Sequence, residues 1–337
     1  MRRSRRMIDL NLGETTSGFD LERAVCNHGF FMMPPNKWIP SSKTLQRPLR
    51  LADSTTSVLV SISQPSSHLL NIQIHSSPSF SPLDRQAILD QVTRMLRITE
   101  RDEENIRNFQ NLHAKAKEIG FGRLFRSPTL FEDAVKSILL CNATWRRTLA
   151  MAGQLCELQA KLGRGPITDG KKRKRKGKGE CELEGGNFPT AAELCRMSVL
   201  LLQKHFIGYR AVYIIDLAQR VQNGKIDLQK IERALSFPKI KGFGPFTTAN
   251  VFMCLGLYDR LPIDTETIRH LKQVHGRQDC NMKTAEEAVK DVYDKYAPFQ
   301  CLAYWMELVE YYESRFGKLS ELGWHDYKKI SGTTRHP

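Results

Sequence analysis

The chain has 337 residues, of which 41% are hydrophobic, and carries a formal net charge of +15, which is enough to bury a large core and suggests two packed units. No run of roughly eighteen apolar residues occurs and no apolar stretch follows the basic N-terminus, so neither a membrane span nor a secretory signal is expected, and the protein should be soluble and intracellular. Eight cysteines, at positions 26, 141, 156, 181, 195, 254, 280 and 301, show no CxxC pair, and the nine histidines show no HExxH or other ligand pair, which speaks for reduced thiols and against a metal centre.

Residues 1–17, with Arg2, Arg3, Arg5 and Arg6, read as a disordered basic tail. Over 18–81 the pattern is short and alternating: Ser57–Ser63 and Leu69–His75 predict antiparallel strands joined by a Gln-Pro-Ser-Ser turn, and 43–51 a third strand. From Pro82 the period becomes helical, with Ser81 as cap and Pro82 at the first position of a helix running to about residue 97. Further helices are expected at about 103–117, 129–141, 145–161, 190–204, 209–222, 227–235, 246–257, 265–274, 284–295 and 299–315. Between them, 165–187 is a disordered insertion: Lys171, Lys172, Arg173, Lys174, Arg175, Lys176 and Lys178 repel one another among flanking glycines. It reads as a nuclear localisation signal, a DNA-holding arm or a tolerated charged loop. The seven basic residues of 171–178 and the four N-terminal arginines supply eleven positive charges, so eleven of the net fifteen could come from these two short runs and the remaining body is only mildly basic. Residues 317–337 form a C-terminal tail. The fold class is α+β, a small N-terminal antiparallel β-sheet domain (18–81) followed by a mostly α-helical domain (82–316).

The densest signal is Phe237-Pro238-Lys239-Ile240-Lys241-Gly242-Phe243-Gly244-Pro245-Phe246-Thr247, followed by Leu261-Pro262-Ile263-Asp264. Two glycines around one apolar residue let a backbone turn tightly and present successive N–H groups, which suits a phosphate; a plain connection between helices is the alternative. A dinucleotide fingerprint is excluded, because Thr247 stands where the third glycine belongs and residues 230–235 have helical spacing rather than strand character. Residues 247–257 are almost wholly apolar and predict a helix buried on all sides and roughly 16 Å long. Asp264, just before the next helix, is by position an N-cap. Asn142 reads as an ordinary helix C-terminal Asn, and the aromatic residues of the last helix as core.

These residues carry a resemblance. The glycine hairpin with its trailing Asp264 resembles the helix-hairpin-helix motif of the DNA glycosylase superfamily (HhH-GPD). Three other blocks agree in order: Phe131-Glu132-Asp133-Ala134-Val135-Lys136-Ser137-Ile138-Leu139, Ile207-Gly208-Tyr209-Arg210-Ala211-Val212-Tyr213 and Tyr296-Ala297-Pro298-Phe299-Gln300. The resemblance covers about residues 18–316 and implies the form with an N-terminal sheet ahead of two helical lobes. It implies a monomer acting on double-stranded DNA that contains a damaged base, in base excision repair in the nucleus. Gly242, Gly244 and Thr247, with Lys239 and Lys241 beside them, would hold DNA, with no cofactor beyond a monovalent cation on the hairpin carbonyls. Asp264 would stabilise the sugar cation, Asn142 would enter the gap left by the flipped base, and Phe299, Cys301 or Trp305 would line the base pocket, while Glu266 would face solvent. Tyr209 and Arg210 would brace the helical lobe.

The chain departs from the lyase members at Phe246, where they carry the lysine that forms a Schiff base, so simple hydrolysis is expected. Absence of that lysine favours alkylated over oxidised bases. The alternatives are a catalytically inactive DNA-binding module, or a glycosylase acting on oxidised guanine.

Overall fold

The computed structural model describes residues 7–13, 16, 18–75, 80–162 and 185–330. Its N-terminal part is a five-stranded antiparallel sheet in the order β1-β5-β4-β3-β2, formed by β1 (Met7–Asn11), β2 (Lys37–Ile39), β3 (Thr44–Arg50), β4 (Ser57–Ser66) and β5 (Leu69–Ile74). The period-2 alternation of β4 and β5 puts Val58, Val60, Ile62, Leu70, Ile72 and Ile74 on one buried face, as half-buried strands require. The expected third strand is present as β3.

Fourteen α-helices are described: α1 (Leu21–Val25), α2 (Pro82–Leu96), α3 (Glu100–Leu112), α4 (Ala114–Ile119), α5 (Leu130–Leu140), α6 (Trp145–Leu162), α7 (Ala191–Cys195), α8 (Val199–Lys204), α9 (Arg210–Gln222), α10 (Leu228–Ala234), α11 (Pro245–Leu255), α12 (Thr265–Val274), α13 (Ala285–Tyr293) and α14 (Gln300–Phe316). The start of α2 has the Ser81/Asp84 capping box and Pro82 at its first turn. Two expected helices are each split by a residue that caps the second piece. His113 accepts the Ala116 amide at the start of α4, and Ser198 accepts the Leu201 amide at the start of α8.

The two termini differ from expectation. Residues 7–11 are not a disordered tail; they pair in register with β5, Ile8 opposite Ile72, and Ile8 is buried. Residues 317–330 pack onto the body: Leu319, Tyr327 and Ile330 are buried, Trp38 Nε1 donates to Ser320 O at 2.8 Å, and Trp145 Nε1 donates to Tyr327 O at 2.9 Å. Two indole donors seeking buried carbonyls tie this segment to the sheet and to α6. The basic run Lys171–Lys178 and Arg2 to Arg6 lie outside the described residues.

The sheet and the helices share one continuous core. Its polar joint is fully buried: Arg47 on β3 donates to both oxygens of Glu132 on α5, at 3.3 and 3.0 Å, and Lys136 Nζ sits 2.7 Å from the same carboxylate. Burial raises the Glu132 pKa, but Arg47 and Lys136 outweigh it and hold the group down to about 2. Such a joint fixes an orientation more than it adds net stability. Here it sets α5, which packs against α11, relative to the sheet.

Candidate active site

Helix α11 starts at Gly244 with Pro245 as its first residue, and no side chain caps it. The leading amides of a helix lack intrahelical acceptors and add to the positive end of the helix dipole, so this end is left open to an anion. Gly242 has φ +90°, and a Cβ there would meet the Tyr213 ring at 2.5 Å; glycine is required twice over. Gly244 is different: it is exposed and a Cβ would meet nothing within 4 Å, so the side-chain position at this cap is open space.

As expected, α11 is buried along nearly its whole length after Thr247. It ends at Gly256 (φ +82°) in a left-handed cap. At about 1.5 Å per residue it descends roughly 16 Å, and the following seven residues, at up to about 3.3 Å each when extended, suffice to climb back. The far end of α11 is held by two buried arginines. Arg97 donates to Met253 O at 2.7 Å and Arg126 to Cys254 O at 2.7 Å, cations at the negative end of the dipole.

The returning chain delivers Asp264 to the N-cap of α12. One carboxylate oxygen, Oδ1, accepts the amides of Glu266 and Thr267, both at 3.0 Å, and the Thr267 hydroxyl at 3.2 Å. No described donor is bound to the other, Oδ2. Burial raises the Asp264 pKa, opposed by the hydrogen bonds from Thr267.

Gly242, Gly244 and Asp264 line one cavity of about 980 Å³, within the size range of small-ligand sites. The loop after α5 forms its rim. Asn142 lies there, exposed, in a left-handed conformation (φ +47°); its Nδ2 donates to Tyr209 Oη at 3.1 Å and its carbonyl accepts from Arg210 at 2.9 Å. It is thus a residue just past a helix end, as its sequence position suggested, and also a presented side chain. Arg210 is buried and braces this loop as expected, whereas Tyr209 is half exposed at the cavity rim.

Trp305 lines the cavity with Val309 and Tyr312, at i, i+4 and i+7 on α14. Phe299 and Cys301 do not. Phe299 is packed against Phe109 and Tyr258, and Cys301, fully buried, donates its amide to Tyr258 O at 2.9 Å, so both belong to the core. Thr247 lines the cavity, but its buried hydroxyl is engaged with Cys141 Sγ at 2.9 Å, which leaves its backbone amide as the available group. Lys239 and Lys241 are exposed on the approach to the hairpin and lie outside the cavity wall. Glu266 does not face solvent freely. It accepts from Arg269 at 2.6 Å and from Tyr312 Oη at 2.8 Å, inside the cavity wall.

Sequence reasoning missed the contribution of the sheet domain. The turn Gly29–Met32 and its cap His28 place His28, Phe30 and Met32 in the cavity, with His28 edge-on to Trp305 at 4.4 Å. Burial, reinforced by Arg97, lowers the His28 pKa to about 3, so the ring is neutral. Leu319 and Ile330 close the wall from the C-terminal segment. The histidines also group more than expected: His270, His275 and Glu307 come together beneath α12.

The fold has solved counterparts. A 3-methyladenine DNA-glycosylase from Archaeoglobus fulgidus superposes with a TM-score of 0.60 at 18% identity, covering 92% of this chain and 99% of that one. The 8-oxoguanine glycosylase/lyase of Clostridium acetobutylicum superposes with a TM-score of 0.59 at 18% identity, over 89% and 94%. The same enzyme in complex with double-stranded DNA containing cytosine opposite 8-oxoguanine gives 0.55 at 17%, over 91% and 96%. The chain has the helix-hairpin-helix DNA glycosylase fold with an N-terminal sheet. By sequence, no family model and no curated protein matches it.

Proposed function

We propose that the protein is a monofunctional DNA glycosylase of base excision repair that hydrolyses the N-glycosidic bond of a flipped, alkylated base in double-stranded DNA. The observation that carries the reading is the shared cavity: an uncapped helix N-terminus for the phosphate and a half-free carboxylate for the sugar open onto the same space. Flipping a base costs a few kcal/mol, offset by contacts of the Gly242 and Gly244 amides, Lys239 and Lys241 with phosphates and by Asn142 in the vacated gap. The proposal includes a monovalent cation on the hairpin carbonyls; Ile240 O accepts the Phe243 amide at 3.0 Å and would offer the ion its second lone pair.

In the cavity the C1′–N bond breaks with its electron pair leaving on the base, and positive charge develops on the sugar. Asp264 Oδ2 faces that charge. Water then adds to C1′ and releases a proton, leaving an abasic site and free base. Phe246 lies in the wall where an amine would be needed for a Schiff base, which supports hydrolysis without strand cleavage.

Preference for an alkylated base has support from the cavity's acids. His28 is a neutral imidazole, and burial pushes the Tyr304 and Tyr312 hydroxyls well above their usual range, so these groups are poor proton donors to a leaving base. A purine alkylated on a ring nitrogen already carries the positive charge that makes it leave. Oxidised guanine is the second reading, favoured by the likeness to the 8-oxoguanine glycosylase/lyase. The proposal includes action as a monomer and nuclear localisation directed by the basic run Lys171–Lys178. Incubation with duplexes carrying single alkylated, oxidised, deaminated or mismatched bases, followed by hot alkali, tests it: cleavage after alkali on alkylated duplexes is expected, with no adduct trapped by borohydride. Cleavage of none, or a trapped adduct, contradicts it.

A further inference from the structure

Glu307 on α14 lies outside the cavity wall, yet its Oε2 accepts three hydrogen bonds. His270 Nε2 is at 3.1 Å, His275 Nε2 at 2.8 Å and Tyr293 Oη at 2.6 Å. One oxygen therefore joins α14 to α12, to the residue that ends α12 and to the end of α13. The join is part of a longer seam. Thr267 and His270 are three residues apart on α12, and Tyr304 and Glu307 three apart on α14, so the pairs meet as successive rungs: Tyr304 Oη lies 3.1 Å from Thr267 Oγ1, one step before the His270–Glu307 bond. Tyr311 donates to Gln273 at 2.9 Å and Tyr312 to Glu266 at 2.8 Å on either side. The first rung touches the working acid, because Thr267 supplies both its amide and its hydroxyl to Asp264 Oδ1.

Apolar residues at these places would pack α12 on α14 but would tolerate sliding, whereas a buried, multiply bonded carboxylate permits one register. We propose that Glu307 is a positioning residue: it locks α12, whose first turn carries Asp264, against α14, whose cavity face carries Trp305 and Val309. The acid and the base wall thereby move as one body. The cluster is not built as a metal centre. Its contacts are direct hydrogen bonds onto one oxygen, and His270 Nδ1 is buried with no acceptor, while a metal-bound imidazole donates its other N–H.

The consequence for catalysis rests on the proposed role of Asp264, and the experiment separates the two ideas. Glu307→Ala and Glu307→Gln in the full chain are compared by amide hydrogen exchange and by single-turnover base release at saturating enzyme, with DNA affinity measured alongside. In Glu307→Ala, exchange over 265–275 should quicken by about tenfold or more while 240–247 stays unchanged. Base release should slow on the order of 10²-fold with affinity within about twofold, the size expected for misplacing a reacting group. Glu307→Gln keeps an acceptor oxygen and should recover to within about threefold of wild type. Unchanged exchange in α12, loss of affinity in step with rate, a Gln variant as slow as Ala, or one equivalent of zinc in the purified protein would each overturn the proposal. Quickened exchange in a protein whose wild type releases no base would uphold the lock and sink the glycosylase reading.

Discussion

The N-termini of α11 and α12 open onto one cavity with opposite answers to the same electrostatic problem. Both present amides without intrahelical acceptors. At α12 the chain supplies its own anion, Asp264, whose Oδ1 takes two of the amides. At α11 the chain supplies none: the cap is a glycine with open space before it. A closed terminus positions an internal charge, and an open one waits for an external charge. On the proposed reading, the difference gives the phosphate to α11 and the sugar to α12.

Closing α11 should have the largest effect. Gly244→Asp would add a carboxylate where the phosphate is proposed to sit, and like charges face to face cost several kcal/mol, so affinity for duplex DNA should fall on the order of 10²-fold in a titration. Stability should change by only a few tenths of a kcal/mol, because Asp and Gly are both acceptable caps. An unchanged affinity would mean that no phosphate binds there.

A second variant acts on the turn. Gly242→Ala meets a positive φ and the Tyr213 ring together, so it should cost about 1–3 kcal/mol in denaturant unfolding and weaken DNA binding with it. Smaller still is the effect of Lys239→Ala or Lys241→Ala, each of which should lower the slope of log affinity against log salt by about one, uniformly across sequences.

The closed terminus makes a pH prediction. Burial raises the Asp264 pKa, so base release should fall with acid from above the ordinary carboxylate range. The folded state therefore holds that proton more tightly than the unfolded chain, and the charged form works against folding as pH rises through the raised pKa. Asp264→Asn keeps a good cap without the charge and should melt at the same temperature as wild type or roughly 1–3 °C higher at neutral pH. Glu307 has the opposite sign. Burial raises its pKa, but hydrogen bonds from His270, His275 and Tyr293 bring it to about 2, so its contribution is present above the usual glutamate value and lost as pH falls toward 2. Glu307→Gln should flatten the acid-unfolding curve across that interval.

What was legible in the sequence was local. The hairpin, the capping Asp264 and the alternating strands β4 and β5 each announce themselves within about ten residues. What was hidden depends on partners far away in the chain. Met7–Asn11 has no strong pattern beside a basic run and becomes a strand because β5 offers it an edge. The last segment looked like a tail because nothing near it shows that Trp38 and Trp145 need its carbonyls. On α14 the aromatic residues are close in sequence, but only the stripe through Trp305, Val309 and Tyr312 meets the cavity, while Phe299 and Cys301 sit at the helix's buried start. His28 and Phe30 reach the site through the packing of sheet on helices, for which the sequence holds no short-range signal.

The most direct measurement compares wild type with Asp264→Asn on a duplex carrying one alkylated purine, recording both binding and base release. Near-equal affinity and a release rate lower by about 10²–10³-fold in the variant are expected. Equal release by the two proteins, or no release by either, would contradict the proposed role of Asp264.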